Sequence, residues 1–336
     1  MPHKLEKETM AFQSQYVWMN GKLVEYQDAT LSFLTPGLHY GIGVFEGIRC
    51  YATERGPAVF RLPEHMQRLM ASAAVLGWSE LPYTAEELSK AVKQVVTANG
   101  FADCYIRPLI YLAEGGWNLT LDGGRPHVGI AVWKWEAYLG KEALERGVRA
   151  NTSSFTRHHV NVAMTKAKIC GNYVNSVLAK SESVRLGFDE AILLDPQGYV
   201  AECTGENLFV VRGGTLYTPP AATVLEGITR DTLITLARDR GYAVVEQLIS
   251  RDQLYLAEEV FVCGTAAEVI GLREIDFRKI GSGMSGPVTR RMQQEFSEVV
   301  RGRHRRSKEW LTPVATEPVP QVLPLARDSG ERAGLA

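Results

Sequence analysis

Short runs in which apolar and polar residues alternate open the chain. Tyr16-Val17-Trp18-Met19 and Lys22-Leu23-Val24 flank Asn20-Gly21, a pair that accepts the left-handed backbone of a type I′ turn, so the stretch predicts a β-hairpin. The period then changes. After Phe60, the residues Met66, Leu69, Met70, Ala73 and Leu76 recur at helical spacing and predict a helix with one buried face. Thr84-Ala85-Glu86-Glu87 has the form of a capping box, which opens a second amphipathic helix running to the stop at Asn99-Gly100. A strand over 128–132 leads into the aromatic-rich connection Trp133-Lys134-Trp135-Glu136-Ala137-Tyr138. Beyond it, predicted strands at 191–194, 208–211 and 260–262 interleave with helices at 173–186, 230–240 and 289–301. The pattern is that of an α/β (α+β) protein.

Length refines this picture. At 336 residues the chain exceeds the usual size of one core, which favours two domains. The patterning places a small N-terminal domain at 1–133, a connection at 134–146 and a large domain at 147–306. The segment 307–336 carries Pro313, Pro318, Pro320 and Pro324 and is expected to be a disordered tail. No internal repeat is visible. With 45% hydrophobic residues, 22% charged residues and a net charge of −1, nothing favours a nucleic-acid or membrane partner, and small molecules are the expected partners. Arg301, Arg303, Arg305 and Arg306 read as a solvated helix end. The charged N-terminus lacks the apolar core of a signal peptide, and no stretch reaches the roughly 20 apolar residues of a membrane span. Cys50, Cys104, Cys170, Cys203 and Cys263 are scattered without a C-x-x-C pair, as expected of reduced thiols in a cytoplasmic protein with no metal site.

The candidate chemistry centres on Lys168, in Thr165-Lys166-Ala167-Lys168-Ile169-Cys170-Gly171-Asn172-Tyr173. A lysine among small and apolar neighbours suits imine formation, because desolvation favours the neutral, nucleophilic amine. Lys166 is an equal contender on this ground alone. Gly227-Ile228-Thr229 precedes a helical run, so backbone N–H groups at its start would face a bound anion. Gly264-Thr265-Ala266-Ala267-Glu268 fits a second helix start with Thr265 at the cap. Each is an ordinary cap when taken singly. Glu202 follows an apolar strand, where a carboxylate needs a cation or hydrogen bonds, and a pyridinium nitrogen is such a cation. Glu206 competes for that role. A lysine, a buried acid and two Gly/Thr turns are the parts needed to hold pyridoxal 5′-phosphate.

Further segments carry a resemblance. Leu38-His39-Tyr40-Gly41-Ile42-Gly43-Val44-Phe45-Glu46-Gly47-Ile48-Arg49, Tyr105-Ile106-Arg107-Pro108 and Gly286-Pro287-Val288-Thr289, with those above, resemble the branched-chain amino acid aminotransferases of the class IV, D-amino-acid-aminotransferase-like fold type. The matching segments span nearly the whole chain except both ends. The resemblance implies a two-domain fold, with a smaller N-terminal α/β domain and a larger C-terminal domain built on a mixed sheet or barrel-like core. It makes Lys168 the Schiff-base lysine, Glu202 the partner of the pyridine nitrogen and Tyr173 the partner of the ring hydroxyl. Arg68, Ile228, Thr229 and Thr265 would hold the phosphate. Lys166 drops out, because the family places its lysine before the Gly-Asn-Tyr run with two intervening residues, here Ile169 and Cys170.

On the substrate side, the resemblance implies one pocket for an aliphatic side chain and for glutamate. Phe45, Gly47, Trp135 and the apolar parts of Tyr40, Tyr105 and Tyr138 would form its wall. Arg107 with the Tyr40 and Tyr138 hydroxyls would receive the distal carboxylate, and Thr265 and Ala266 the α-carboxylate. The implied reaction is transamination of branched-chain L-amino acids with 2-oxoglutarate. The alternatives are a D-amino-acid or (R)-amine transaminase, an aminodeoxychorismate lyase, or a non-catalytic binding protein on the same scaffold. The resemblance also implies a homodimer with active sites completed across the interface, and Glu114-Gly115-Gly116-Trp117-Asn118-Leu119 is the candidate interface or covering loop.

Overall fold

The computed structural model describes residues 14–134 and 141–314. Strands β1 (Tyr16–Met19) and β2 (Lys22–Glu25) form the expected hairpin, with Asn20 and Gly21 at φ of 45° and 91° in its turn. Helix α1 (Pro36–Tyr40) ends on Gly41 and is followed by β3 (Gly43–Phe45), β4 (Ile48–Thr53) and β5 (Gly56–Phe60). Helices α2 (Leu62–Leu76) and α3 (Ala85–Asn99) then precede the long strands β6 (Cys104–Glu114) and β7 (Arg125–Trp133). The capping box at the start of α3 is formed as predicted, and left-handed Gly100 closes the helix. Met66 and Leu69 of α2 and Val92 and Val95 of α3 are fully buried against Ile48, Ile106, Ile110 and Ile130 of the sheet. Their helical spacing against the strands' alternation produces this layer.

The rest of the chain builds a second sheet. In order it contributes α4 (Lys141–Arg146), β8 (Val148–Thr152), α5 (Tyr173–Arg185), β9 (Glu190–Leu194), β10 (Val200–Cys203), β11 (Asn207–Arg212), β12 (Thr215–Thr218), α6 (Ile228–Asp239), β13 (Val244–Glu246) and α7 (Arg251–Tyr255). Then come β14 (Glu259–Gly264), β15 (Glu268–Ile275), β16 (Arg278–Lys279), α8 (Pro287–Val300), α9 (Ser307–Trp310) and β17 (Leu311–Pro313). Among the described residues the first sheet runs β17-β5-β4-β6-β7-β1-β2 with β3 also on β6, and the second runs β10-β9-β8-β15-β14-β11-β12-β13 with β16 on β15. The second sheet is mixed, since β8 lies parallel to both β9 and β15.

Two expectations are corrected. Thr265 does not cap a helix: Gly264 pairs with Glu268 across an antiparallel hairpin, and residues 265–267 form its turn. The flanking runs EVFVCG and EVIGLREI are rich in β-branched residues and buried on both sides, so strand pairing overrides the local capping pattern. The tail does not start at 307 either. Trp310 is buried, lies edge-on to Phe60 at 6.4 Å and receives the Arg61 guanidinium at 5.1 Å over its ring. This aromatic anchor docks β17 on β5, Leu311 opposite Phe60, and Pro313 is tolerated because β17 is an edge strand. The nearby arginines are neutralised as a solvated helix end would be, Arg301 by Asp103, Arg303 by Glu298, and Arg305 and Arg306 by Asp239. Among the described residues no helix is long and apolar enough to cross a membrane.

Candidate active site

A cavity of about 620 Å³ opens between the two sheets. The first sheet supplies Phe45, Gly47, Tyr105 and Arg107; the segment entering α5 supplies Lys168, Cys170 and Tyr173; two turns of the second sheet supply Thr204, Gly205, Glu206, Thr265 and Ala266. Lys168 is fixed through its backbone, its N–H donating to Ser72 Oγ at 3.0 Å and its carbonyl accepting from Phe45 N–H at 3.0 Å. The next residue, Ile169, bridges to Val44 and packs on the first core, which gives its bulk a place. A 3₁₀ turn, Cys170–Asn172, then brings Tyr173 round at the start of α5. Lys168 Nζ donates to Tyr173 Oη at 2.5 Å and lies 5.0 Å over the Phe45 ring. Lys166 points elsewhere, to the Val224 carbonyl at 3.1 Å and the Glu226 carboxylate at 3.4 Å. The structure thus separates the two lysines that composition alone left equal.

Both candidate acids are buried. Glu202, on β10 beside a register shift in the pairing with β9, forms an ion pair with Arg157 at 2.8 Å and accepts from the Leu225 N–H at 3.3 Å. Burial raises its pKa, and Arg157 and the Leu225 hydrogen bond only partly offset this. A carboxylate in that position gains from a second cation, so it suits a protonated ring nitrogen. Glu206 lines the cavity itself and accepts from the Gly205 N–H at 3.0 Å. Burial and the Glu190 carboxylate behind it push its carboxyl up to about 8. Glu190 in turn is held by Lys180 and by Thr204 Oγ1.

Helix α6 starts at Ile228 with Gly227 as N-cap and no side-chain cap. A Cβ at Gly227 would fall 1.9 Å from Asn207 Oδ1, so no capping side chain fits there and the first-turn N–H groups of Ile228 and Thr229 suit an outside anion. The loop before them touches two other site residues, because Leu225 donates to Glu202 and the Glu226 carbonyl accepts from Arg68 Nη1 at 2.8 Å. Arg68 is gripped at Nε and Nη2 by Glu46, at 2.6 and 2.8 Å. Glu46 is fully buried and also meets His65 Nδ1 at 2.7 Å. Complete burial opposes its charge, yet Arg68 and His65 outweigh this and hold the carboxyl well below the usual range. The sequence reading missed Glu46 and His65, although His65 stands one helical turn before Arg68. It missed Arg157 as well, for which no local pattern gave a signal.

On the substrate side, Arg107 lies 4.5 Å over the Phe45 ring and 5.3 Å over the Tyr105 ring, with Nη2 donating to Tyr105 Oη at 3.3 Å. Its Nε is buried without a partner, and among the described residues no carboxylate pairs with it. Gly47 is required by Tyr105, whose Oη would stand 2.0 Å from a Cβ at 47. Tyr40 is not brought to this cavity: it is exposed at the end of the short α1, 5.8 Å from the Trp117 ring. Trp135 and Tyr138 lie outside the described residues.

Comparison with known proteins gives the family. The amino-transferase class IV family matches residues 43–275. The branched-chain-amino-acid aminotransferase of Pseudomonas aeruginosa is 47% identical over 304 residues, covering 90% of this chain and 99% of the relative. The crystal structure of the T.th. branched-chain amino acid aminotransferase with pyridoxamine 5′-phosphate superposes with a TM-score of 0.88 at 49% identity, covering 91% of this chain and all (100%) of that one. A second structure of that enzyme, complexed with N-(5′-phosphopyridoxyl)-L-glutamate, gives a TM-score of 0.85 at 47% identity over 91% of this chain and 100% of that one. A family match across more than half of the sequence, joined to relatives covered almost end to end, places this chain among the class IV aminotransferases.

Proposed function

We propose that the chain transaminates the branched-chain L-amino acids leucine, isoleucine and valine with 2-oxoglutarate, using pyridoxal 5′-phosphate. The observation that carries this reading is one cavity holding Lys168 against Tyr173, an aromatic wall and the Arg107 guanidinium with no carboxylate partner among the described residues. An aliphatic side chain can lie on that wall and a distal carboxylate can meet that arginine, which is what the two half-reactions require. The names of the relatives support the branched-chain substrates.

When bound, pyridoxal 5′-phosphate supplies an aldehyde carbon for exchange with amines and a ring that accepts electron density from the substrate Cα. Lys168 would be the amine that holds that carbon, and its amino group would carry the proton at the substrate Cα. Tyr173 orients the lysine and hydrogen-bonds the ring hydroxyl. Glu202 would hold the ring nitrogen's proton, with Arg157 offsetting part of the burial that disfavours the carboxylate's charge. Arg68 and the amides of Ile228, Thr229 and Thr265 hold the phosphate, and Glu46 keeps Arg68 extended toward it. The Thr265 and Ala266 amides receive the substrate α-carboxylate, now from a hairpin turn instead of a helix start.

We also infer a cytoplasmic homodimer whose subunits comprise a small domain (1–133), a connection (134–146) and a large domain from 147. Exposed Phe33, Leu34, Leu38, Trp117 and Leu119, and exposed Val162, Val174 and Val177, the last of which lines the cavity, support an interface that reaches the site. Tyr40 would serve such a shared site from its exposed position. The decisive experiment is a panel of L- and D-amino acids and (R)- and (S)-amines with 2-oxoglutarate. L-Leucine, L-isoleucine and L-valine should turn over fastest with ping-pong kinetics; faster turnover of D-amino acids or (R)-amines would replace this reading.

A further inference from the structure

The hairpin turn at 265–267 closes on Glu268, whose φ of 58° lies in the left-handed region that a side chain other than glycine's disfavours. Its carboxylate explains how the conformation is kept. Oε1 accepts from Tyr51 Oη at 3.0 Å and from Arg49 Nη1 at 3.2 Å. Both donors stand on β4 of the other sheet, are almost fully buried, and stack on each other with the guanidinium 4.9 Å from the ring centroid. Burial and the neighbouring carboxylate hold the Tyr51 hydroxyl protonated, hence a donor.

The two ends of this link are close to opposite walls of the cavity. Arg49 is two residues beyond Gly47, and Glu268 two beyond Ala266, and both Gly47 and Ala266 line it. We propose that Glu268 is a positioning residue: its clamp on Arg49 and Tyr51 fixes the Thr265–Ala266 amides at a set distance from the Gly47 wall. The inference rests on the reading that this turn receives the phosphate and the α-carboxylate, and it adds the residue that aims it. A hairpin turn free of the clamp could shift as a unit, because only the pairing of Glu268 with Gly264 would then hold the left-handed Glu268 conformation.

Three variants of the full-length protein test it. Glu268→Gly relieves the left-handed backbone but removes the clamp, Glu268→Ala removes the clamp and keeps the strain, and Glu268→Gln keeps an acceptor for both donors. Glu268→Gly and Glu268→Ala should raise KM for L-leucine about tenfold with kcat within about threefold, and weaken pyridoxal 5′-phosphate binding to the apoprotein, followed by fluorescence, about fivefold. Glu268→Gln should stay within about threefold of the wild type on both measures. Hydrogen exchange at 264–268 in the cofactor-free protein should quicken in the first two variants and not in the third, a readout independent of the substrate. Unchanged KM, cofactor affinity and exchange in Glu268→Gly, or equal loss in all three variants, would overturn the clamp. A wild type that turns over no amino acid while the exchange pattern holds would instead overturn the functional reading alone.

Discussion

Lys168 Nζ and Tyr173 Oη meet at 2.5 Å because the 3₁₀ turn between them folds the chain back on itself. The amine therefore has a partner that can hold it in place whether or not it is bonded to a carbonyl carbon. Lys168→Ala should lower kcat/KM by about 10⁴-fold or more, since no other described amine stands at that point. It should also abolish the long-wavelength absorbance of the protein-bound cofactor. Tyr173→Phe, which keeps the ring on Phe45 and removes only the hydroxyl, should cost about 10–100-fold in kcat. A Lys168→Ala protein retaining both the absorbance and full turnover would remove the lysine from the mechanism.

Arg107 separates the two substrates. Stacked over Phe45 and Tyr105 and lacking a carboxylate partner among the described residues, it awaits a negative charge that glutamate brings and leucine does not. Arg107→Met preserves much of the side chain's length and its contact with the rings. The variant should lose about 100-fold or more in kcat/KM for the glutamate half-reaction, while L-leucine loses less than about tenfold. Single-turnover rates with each amino acid give the comparison. Equal loss for both would mean that the arginine serves the α-carboxylate or the fold.

What could be read from the sequence, and what could not, follows from the range of the interactions. The Asn20-Gly21 turn and the Thr84 capping box depend on neighbours in sequence and formed as expected, whereas α6 starts at Ile228, two residues ahead of the expected 230, with Gly227 as its N-cap. The Thr265 stretch carries an equally local capping pattern and still became a hairpin turn, because β14 and β15 contribute pairing along their whole length. Trp310 was hidden in a proline-rich segment, and its partners Phe60 and Arg61 are about 250 residues away. In the site, Lys168, Tyr173 and Arg107 carry chemistry visible in their residue type. Arg157 and Glu46 act by pairing with distant charges, which a linear pattern does not reveal. Tyr40 matched a motif but is placed by the fold on the surface beside Trp117.

Glu46 is a buried anion shared by Arg68 and His65. Replacing it by glutamine leaves a guanidinium that keeps its contact with Glu226 but loses its counter-charge. Glu46→Gln should destabilise the protein by about 3 kcal/mol at neutral pH and weaken pyridoxal 5′-phosphate binding through Arg68. Because the folded-state pKa of Glu46 lies below its unfolded value, its stabilisation is present above the ordinary carboxylate range and disappears as pH falls through the folded value. The gap in thermal midpoint between wild type and variant should therefore be constant above the ordinary carboxyl value of 4.5, narrow progressively below it and close only in strong acid. A gap that vanished already at mildly acidic pH would mean that Glu46 is not held as an anion by these two partners.

Glu206 should show the opposite dependence. It faces the cavity with Glu190 and Glu202 near it and Lys180 as the nearby cation, and its carboxyl is pushed from 4.5 up to about 8. Between those values the folded chain binds a proton that the unfolded chain has released, so the contribution is fully present below about 4.5 and is lost as pH rises towards about 8. Glu206→Gln keeps the shape and a donor while removing the titration. Wild type and variant should have similar thermal midpoints near pH 4.5 and diverge by about pH 8, the variant being the more stable by about 1 kcal/mol or more. Thermal melts across that range measure the divergence, and parallel curves would show that Glu206 is ionised throughout. The same protonated acid can donate a hydrogen bond into the cavity, so the variant should also flatten the alkaline limb of kcat/KM, since the amide keeps its donor above the pH at which the acid loses its proton.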